Sequence, residues 1–278
     1  MSRSIIVANR DWEADPLVAV LTSVAGAHAA GAPFIPAGKN DPRGLRGRVD
    51  DGNGHVVEIR CIKETLPDGA LPSSSAEKAK VLPGMLAGDD VRAVIAFGTA
   101  ARYDDASWNG CVVAGTNVFV HDAKPPQPKS SWPPPHPDEV LSSALDEKAF
   151  GALFSMSQPD LAALLKLLLP PPLHPAPSMQ FLAQSAFVAL SDVNVTDPAD
   201  YAWADIETIA VFLKQKRALQ IGSVETTHGV IRSCTEAPFA FLSGIVDRVG
   251  HFEDDVQPLV DAQNFVGAHN AGIVGAVV

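Results

Sequence analysis

The sequence predicts an α/β chain: three layers, with a mixed, mostly parallel central sheet between helices. Three observations carry this. Apolar runs of strand length alternate with amphipathic stretches over most of the 278 residues, the pattern of parallel strands joined by helical crossovers. No internal repeat interrupts that alternation. The chain is also long enough to bury a sizeable core, and it reads as a single domain over residues 1–278.

Taken in order, Ser4–Ala8 reads as a central strand followed by polar Asn9–Asp15. Pro16 is expected to open an amphipathic helix through about Ala29, since proline suits a first helical turn. Val56–Ile62 alternates as a strand after the turn residues Asp51-Gly52-Asn53-Gly54. Ser74 or Ser75 is the expected cap of a helix through about Leu86. Val91–Phe97 is a buried strand closing at Gly98-Thr99-Ala100, and Cys111–Val120 a long strand ending in His121-Asp122-Ala123.

The composition then shifts. Residues 124–137, KPPQPKSSWPPPHP, hold seven prolines and fit neither helix nor interior strand. They are expected to form an extended linker or lid, and 170–177 a second proline-rich excursion. Asp138–Phe154 and Asp160–Leu169 read as helices divided at Gln158-Pro159. Gln180–Leu190 reads as a strand, Asp200–Lys216 as a helix and Asp254–Val278 as a long terminal helix.

The stretch from Ile221 to Val256 carries the chemistry. Glu225 stands where Ile221–Val224 gives way to a helical pattern through Cys234, and the apolar run Phe239–Val246 ends at Asp247. A carboxylate just past a buried strand sits where open α/β sheets place their ligand crevice. This unit could bring Glu225 and Asp247 to one side of a pocket.

Bulk properties narrow the function classes. A formal charge of −11, with scattered basic residues densest at Arg43, Arg46 and Arg48, argues against nucleic acid as a partner. Three widely spaced cysteines, Cys61, Cys111 and Cys234, read as reduced, buried thiols. The opening MSRSIIVANRDWEAD reads as a strand and not a leader, and the apolar C-terminus is short for a membrane span. A soluble, cytoplasmic protein is expected, without membrane partners. No Gly-x-Gly-x-x-Gly, Walker A loop or nucleophile elbow occurs.

Four segments resemble one family. Gly98–Ala123, GTAARYDDASWNGCVVAGTNVFVHDA, is similar to a GSAGGL…GD-I-V-V…HDA pattern. Val224–Asp247 is similar to an acidic-Met-Glu start, then PF, then a strand closing in Ser-Asp. IIVANRDWEAD resembles an opening strand with its EE/EA motif, and Ser185–Val188 a D-A-F-[IV] stretch. The family is the purine nucleoside phosphorylase and nucleosidase superfamily, in particular its methylthioadenosine/S-adenosylhomocysteine nucleosidase-like branch.

The resemblance implies cleavage of an N-ribosidic bond, with positive charge developing on ribose and negative charge on the base. Asp247 would be the acid protonating the purine, which needs a carboxyl able to hold a proton near neutral pH. Glu225 would accept hydrogen bonds from the ribose hydroxyls. Glu13, with Asp11 as the alternative, would orient or deprotonate a water. Gly98, Thr99 and Ala100 would bring backbone and the Thr99 hydroxyl to the substrate. Phe187 and Val188 would lie against the base. The resemblance also implies a homo-oligomer, a nucleoside ligand, and no metal or organic cofactor.

The sequence departs from the family pattern at several points. Ala101-Arg102 replaces Gly-Gly, so Arg102 would narrow the pocket or aim a cation into it. Val246 replaces the Ser before the catalytic Asp. A gapless register puts Thr227 in place of Glu225, and Trp12 in place of Glu13. Phosphorylases carry an Arg before the Gly-Ser/Thr turn; here stand Ala96-Phe97, which favours a hydrolase. A phosphorylase, with Arg10 or Arg102 on phosphate, and a binding protein without catalysis remain the alternatives. His228 reads as a helix-surface residue, with contact to substrate or a neighbouring subunit as the alternative, His121-Asp122 as half a metal pair without partners, Trp108 and Trp132 as packed or covering rings, and Asp192, Asn194 and Asp197 as turn formers.

Overall fold

The structure is a computed structural model that describes residues 2–27, 34–38, 41–71, 74–103, 108–121, 139–143, 145–168, 179–193, 201–251, 254–255 and 266–277. Its elements run β1 (Ser2–Ala8), α1 (Asp11–Ala27), β2 (Phe34–Pro36), β3 (Leu45–Asp50), β4 (His55–Cys61), a 3-10 turn Ile62–Thr65, α2 (Ser75–Leu86), β5 (Val91–Arg102), β6 (Val112–Gly115), β7 (Asn117–His121) and β8 (Glu139–Leu141). There follow α3 (Glu147–Ser155), α4 (Gln158–Leu168), β9 (Phe181–Ala183), β10 (Val188–Asp192), α5 (Tyr201–Gln215), β11 (Ile221–Glu225), α6 (His228–Ser233), β12 (Phe239–Arg248) and α7 (Val266–Val277).

Among the described residues, twelve strands join in one sheet, with the path β2-β3-β4-β1-β5-β11-β10-β7-β8 and a branch from β5 through β12 and β6 to β9. The sheet is mixed. β1 runs parallel to β4 and β5, β10 parallel to β7 and β11, and β12 parallel to β5. The β2–β3–β4 ribbon and the β12–β6 and β7–β8 pairs are antiparallel.

Alternation along β1 sorts the two faces. Ile6 and Ala8 join a core with Leu17 of α1, Ile273 of α7, Phe150 of α3 and Leu161 of α4. Ile5 and Val7 face the other way, onto Leu82 and Met85 of α2 and Val230 and Ile231 of α6. Helix α5 covers Phe119, Leu190 and Val224. These are the three expected layers. Each fully buried aliphatic side chain contributes about 1.5–3 kcal/mol through removal from water. Close approach tightens the first face: a Cβ on Gly244 would lie 2.0 Å from Gly267 O, so α7 rests directly on β12.

Several expected elements differ. Pro16 lies inside α1, which starts at Asp11 with Asp11 and Glu13 in its first turn, where acidic groups meet the positive helix end. β5 runs on through Gly98-Thr99-Ala100 to Arg102 because β12 continues to pair with it that far. The Cys111–Val120 run breaks at Thr116, so that β6 pairs β12 and β7 pairs β10. Gln180–Leu190 likewise splits into β9 and β10 around a turn. In place of an Asp138–Phe154 helix stand β8 and α3, with Asp146 capping the Lys148 and Ala149 N–H groups. Gln158-Pro159 begins α4 and does not divide the helices. The Arg43–Arg48 turn region holds β3, and β2 was not anticipated. Cys61 and Cys111 are buried, whereas Cys234 is half-buried; all three are free thiols. The proline-rich segments 124–137 and 170–177 lie outside the described residues, as do Asp122, Trp132, Asn194, Asp197 and part of the expected C-terminal helix. Among the described residues no helix is long and apolar enough to cross a membrane.

Candidate active site at the carboxyl ends of the strands

The site begins with a topological gap. Along one side, β5 pairs with β1 from Val91 to Phe97. Then β1 ends, and β5 is met at Ala101 by Val224 of antiparallel β11. Between these pairings, Gly98–Ala100 has no strand on that side, and its backbone donors need another acceptor.

Glu13 fills the gap. Its Oε1 accepts the Thr99 N–H at 2.9 Å and the Thr99 hydroxyl at 3.1 Å. Its Oε2 accepts the Asn9 and Arg10 N–H groups at 3.1 and 2.9 Å. One carboxylate thus ties the end of β1 to the middle of β5. A Cβ on Gly98 would stand 2.8 Å from Glu13 Oε1, which explains the glycine. Asp11, the alternative to Glu13, is elsewhere: it pairs with Lys63 at 2.7 Å and lies 3.7 Å from Arg46. Burial is the largest single effect and raises its pKa, but Lys63, the Cys61 thiol and Arg46 together outweigh it and leave the pKa lowered.

Glu225 is the last residue of β11, not the first of a helix; α6 starts three residues later. Its Oε2 accepts the Thr227 N–H and, at 2.6 Å, the His228 N–H. Its Oε1 is buried and accepts no hydrogen bond among the described residues. Thr227, the gapless alternative, turns its hydroxyl to Lys78.

Asp247 lies within β12, where the register shifts between Ile245 and Asp247. Val246 is the extra residue of this bulge. Val246 Cγ1 packs against Gly267 of α7, so the residue that replaces the family's Ser faces a helix. Both Asp247 and Val224 pair with Ala101. With strands about 4.8 Å apart, their Cα atoms lie roughly 10 Å apart across β5. Asp247 and Glu225 are each 8% exposed, and Glu13 5%.

The remaining expected residues are placed differently. The Arg102 guanidinium stacks over Trp108, 3.7 Å from the ring centre, a cation–π contact. Phe187 packs where Gly222 leaves room for its ring. The Val188 N–H donates to Gln220 O at 2.9 Å, and its side chain sits with Phe119 under α5. Ala100 belongs to the buried face of β5 beside α2.

Sequence reasoning missed two residues. Lys78 of α2 is 0% exposed. Its Nζ donates to Thr227 Oγ1 at 2.8 Å and Thr226 O at 3.3 Å. Burial pushes its ammonium down to about 7; Glu225 opposes that, Arg10 adds to it and Glu13 opposes it. The clue was spacing: Lys78 shares the inward stripe of α2 with Ser75, Leu82, Met85 and Leu86. His228 is not on a surface. It is 2% exposed, stacks on Phe241 at 5.7 Å, and holds Nδ1 3.9 Å from Glu225 Oε1 and 3.5 Å from Ser243 Oγ.

Further along the same edge His121 pairs in register with Asp192, and Ser191 with Glu225. His121 is 1% exposed, burial lowers its pKa to about 4, and neither ring nitrogen has a partner among the described residues. Among the described residues no three His, Cys, Asp or Glu side chains converge to hold a metal ion.

This architecture is the α/β nucleoside phosphorylase fold, and solved nucleosidases share it along the whole chain. Futalosine hydrolase of Helicobacter pylori matches with a TM-score of 0.56 at 10% identity, covering 100% of this chain and 98% of that one. The methylthioadenosine/S-adenosylhomocysteine nucleosidase of S. pneumoniae, solved with the transition-state inhibitor MT-ImmA, matches at 0.55 and 14% identity, covering 99% and 100%. The corresponding nucleosidase of Campylobacter jejuni matches at 0.54 and 10% identity, covering 100% of each. No protein-family model matches the sequence, and no curated protein does. Identities this low speak to fold, so the chemistry must be argued from the residues.

Proposed function

We propose that this chain is a nucleoside N-ribosyl hydrolase acting on a purine nucleoside or nucleoside thioether. The observation that carries the reading is Glu225: a buried carboxylate with one oxygen held by two backbone N–H groups and the other accepting nothing among the described residues. A buried charge with an unused acceptor is costly unless a ligand donor completes it. Sugar hydroxyls are such donors. Asp247, 8% exposed and across β5 from Glu225, is the acid that gives a proton to the departing base.

Glu13 supplies the third element. All four of its acceptor positions are occupied in this conformation. It clamps β1 to β5 at rest, and it orients an attacking water when the Thr99 hydroxyl turns away and frees Oε1. That saturation also favours the second reading, a nucleoside-binding protein without turnover. Nucleosidase neighbours that match the whole chain support treating it as one nucleosidase-like unit, and a homo-oligomer is expected, to be checked by sedimentation equilibrium.

The deciding assay follows free base by chromatography, with and without phosphate, for methylthioadenosine, S-adenosylhomocysteine, adenosine, inosine, guanosine and uridine. Base release without phosphate is expected from the wild type. Asp247→Asn is expected to lower kcat by about 10²–10⁴ with its fold intact, the usual weight of a general acid. Turnover retained in that variant sinks the assignment; nucleoside binding with no product selects the binding protein.

A further inference from the structure

Lys78 and Glu225 are anchored on one residue. The Thr227 N–H donates to Glu225 Oε2, and Thr227 Oγ1 accepts from Lys78 Nζ at 2.8 Å. A second Lys78 N–H goes to Thr226 O at 3.3 Å. An ammonium has three N–H donors, so one stays unspent among the described residues. On the other side, Glu225 Oε1 accepts nothing among the described residues, Lys78 included. Two buried ionic groups therefore stand side by side, one short of an acceptor and the other short of a donor.

The complementarity specifies the missing group. A carboxylate or phosphate would satisfy Lys78 and be repelled by Glu225; an ammonium would do the reverse. A hydroxyl suits both, because its proton goes to the carboxylate while its oxygen accepts from the lysine. We infer that Lys78 and Glu225 grip a single hydroxyl of the ligand's sugar, Glu225 Oε1 accepting from it and Lys78 Nζ donating to it. This rests on the nucleoside reading of the site and adds to it a binding residue from α2. Lys78 is 0% exposed and Glu225 8%, so the sugar reaches them only with a local opening of the fold.

Equilibrium binding tests the inference with adenosine, 2′-deoxyadenosine and 3′-deoxyadenosine. Wild type and Lys78→Met are compared, each also in an Asp247→Asn background so that the ligand is not consumed. Lys78→Met is expected to weaken adenosine about tenfold, the weight of one charge-assisted hydrogen bond, and to leave the affinity for one of the two deoxynucleosides unchanged. Lys78→Gln, which keeps a donor without the charge, makes the same comparison should the methionine variant not fold. An equal loss for all three ligands overturns the inference while the nucleoside reading stands, since Lys78 then merely holds the Thr226–Thr227 segment. No binding of any of the three by folded wild-type protein overturns both.

Discussion

The two ends of the central strands are built on opposite principles. At the amino end, a cation finds an exposed partner: Arg3 pairs with Asp90 at 2.9 Å and reaches Glu58 at 3.6 Å, and Asp90 is 44% exposed in its side chain. The open cleft there, about 570 Å³, is lined by Ser2, Asn53, Gly54, Asp89, Asp90 and Arg92. At the carboxyl end the charges are inside: Glu13, Glu225, Asp247, Lys78 and His121 are each 8% exposed or less. Solvent reaches Asp90 and screens its pair with Arg3, which leaves little energy in that pair. Burial leaves the carboxyl-end set costly unless each group is completed. The contrast teaches that an open cleft is not by itself a site. The amino-end cleft carries ordinary surface chemistry, while the edge with unmet hydrogen-bonding needs is where a ligand has something to complete.

After Asp247, the largest expected effect falls on Glu225. Glu225→Gln keeps the shape and the Oε2 contacts but removes the charge, and should lower kcat/KM for nucleoside hydrolysis about 100-fold, the scale of one or two charge-assisted hydrogen bonds. Steady-state rates on the best substrate of the panel measure this. A loss below threefold would put the sugar elsewhere.

Stability against pH sharpens the same contrast without relying on activity. Burial lowers the Lys78 pKa to about 7 in the fold, against the ordinary 10.5 of a lysine. Between those values the unfolded chain holds a proton that the native chain lacks, so stability rises with pH across the window, and the depression is a standing cost below 7. One proton corresponds to about 1.4 kcal/mol per pH unit. Urea midpoints of wild type and Lys78→Met should therefore diverge in slope by about that amount between pH 7.5 and 9.5. His121 gives a smaller effect at acid pH. Its folded value of about 4 against 6.5 means that the unfolded chain takes up a proton first, so stability falls as pH drops from 6.5 to 4, by on the order of 3 kcal/mol in all. His121→Phe should flatten that limb relative to the wild type.

How much of this was legible in the sequence depended on whether a residue's partner was local. The β1 run, the Ser74 cap of α2 and the strand ending near Asp247 could be read because periodicity and capping act within a few residues. The resemblance also pointed to Glu13 and Glu225, two positions that needed a one-residue slip in register. Nothing local announces that β5 exchanges β1 for β11 at Gly98–Ala101, because that depends on strands over 80 residues away in either direction. His228 looked like a surface histidine because its apolar neighbour, Phe241, comes from another strand. Lys78 was legible in principle from its place on an apolar stripe, but a lysine there is read as snorkelling outward until Thr226 and Thr227 are seen to meet it.

The smallest effect belongs to the amino edge, and it is the control that makes the comparison testable. Asp90→Ala removes the partner of Arg3 at 2.9 Å. Arg3 keeps its bond to Ala87 O at 2.9 Å and its neighbour Glu58 at 3.6 Å, so the cation is not stranded. The pair is exposed on the Asp90 side, and exposed pairs are worth about 0–1 kcal/mol. Asp90→Ala should therefore shift the urea midpoint by less than that energy and leave nucleoside turnover unchanged. Turnover that falls tenfold or more in this variant, with stability preserved, would relocate the chemistry to the open cleft and reverse the assignment of the two ends.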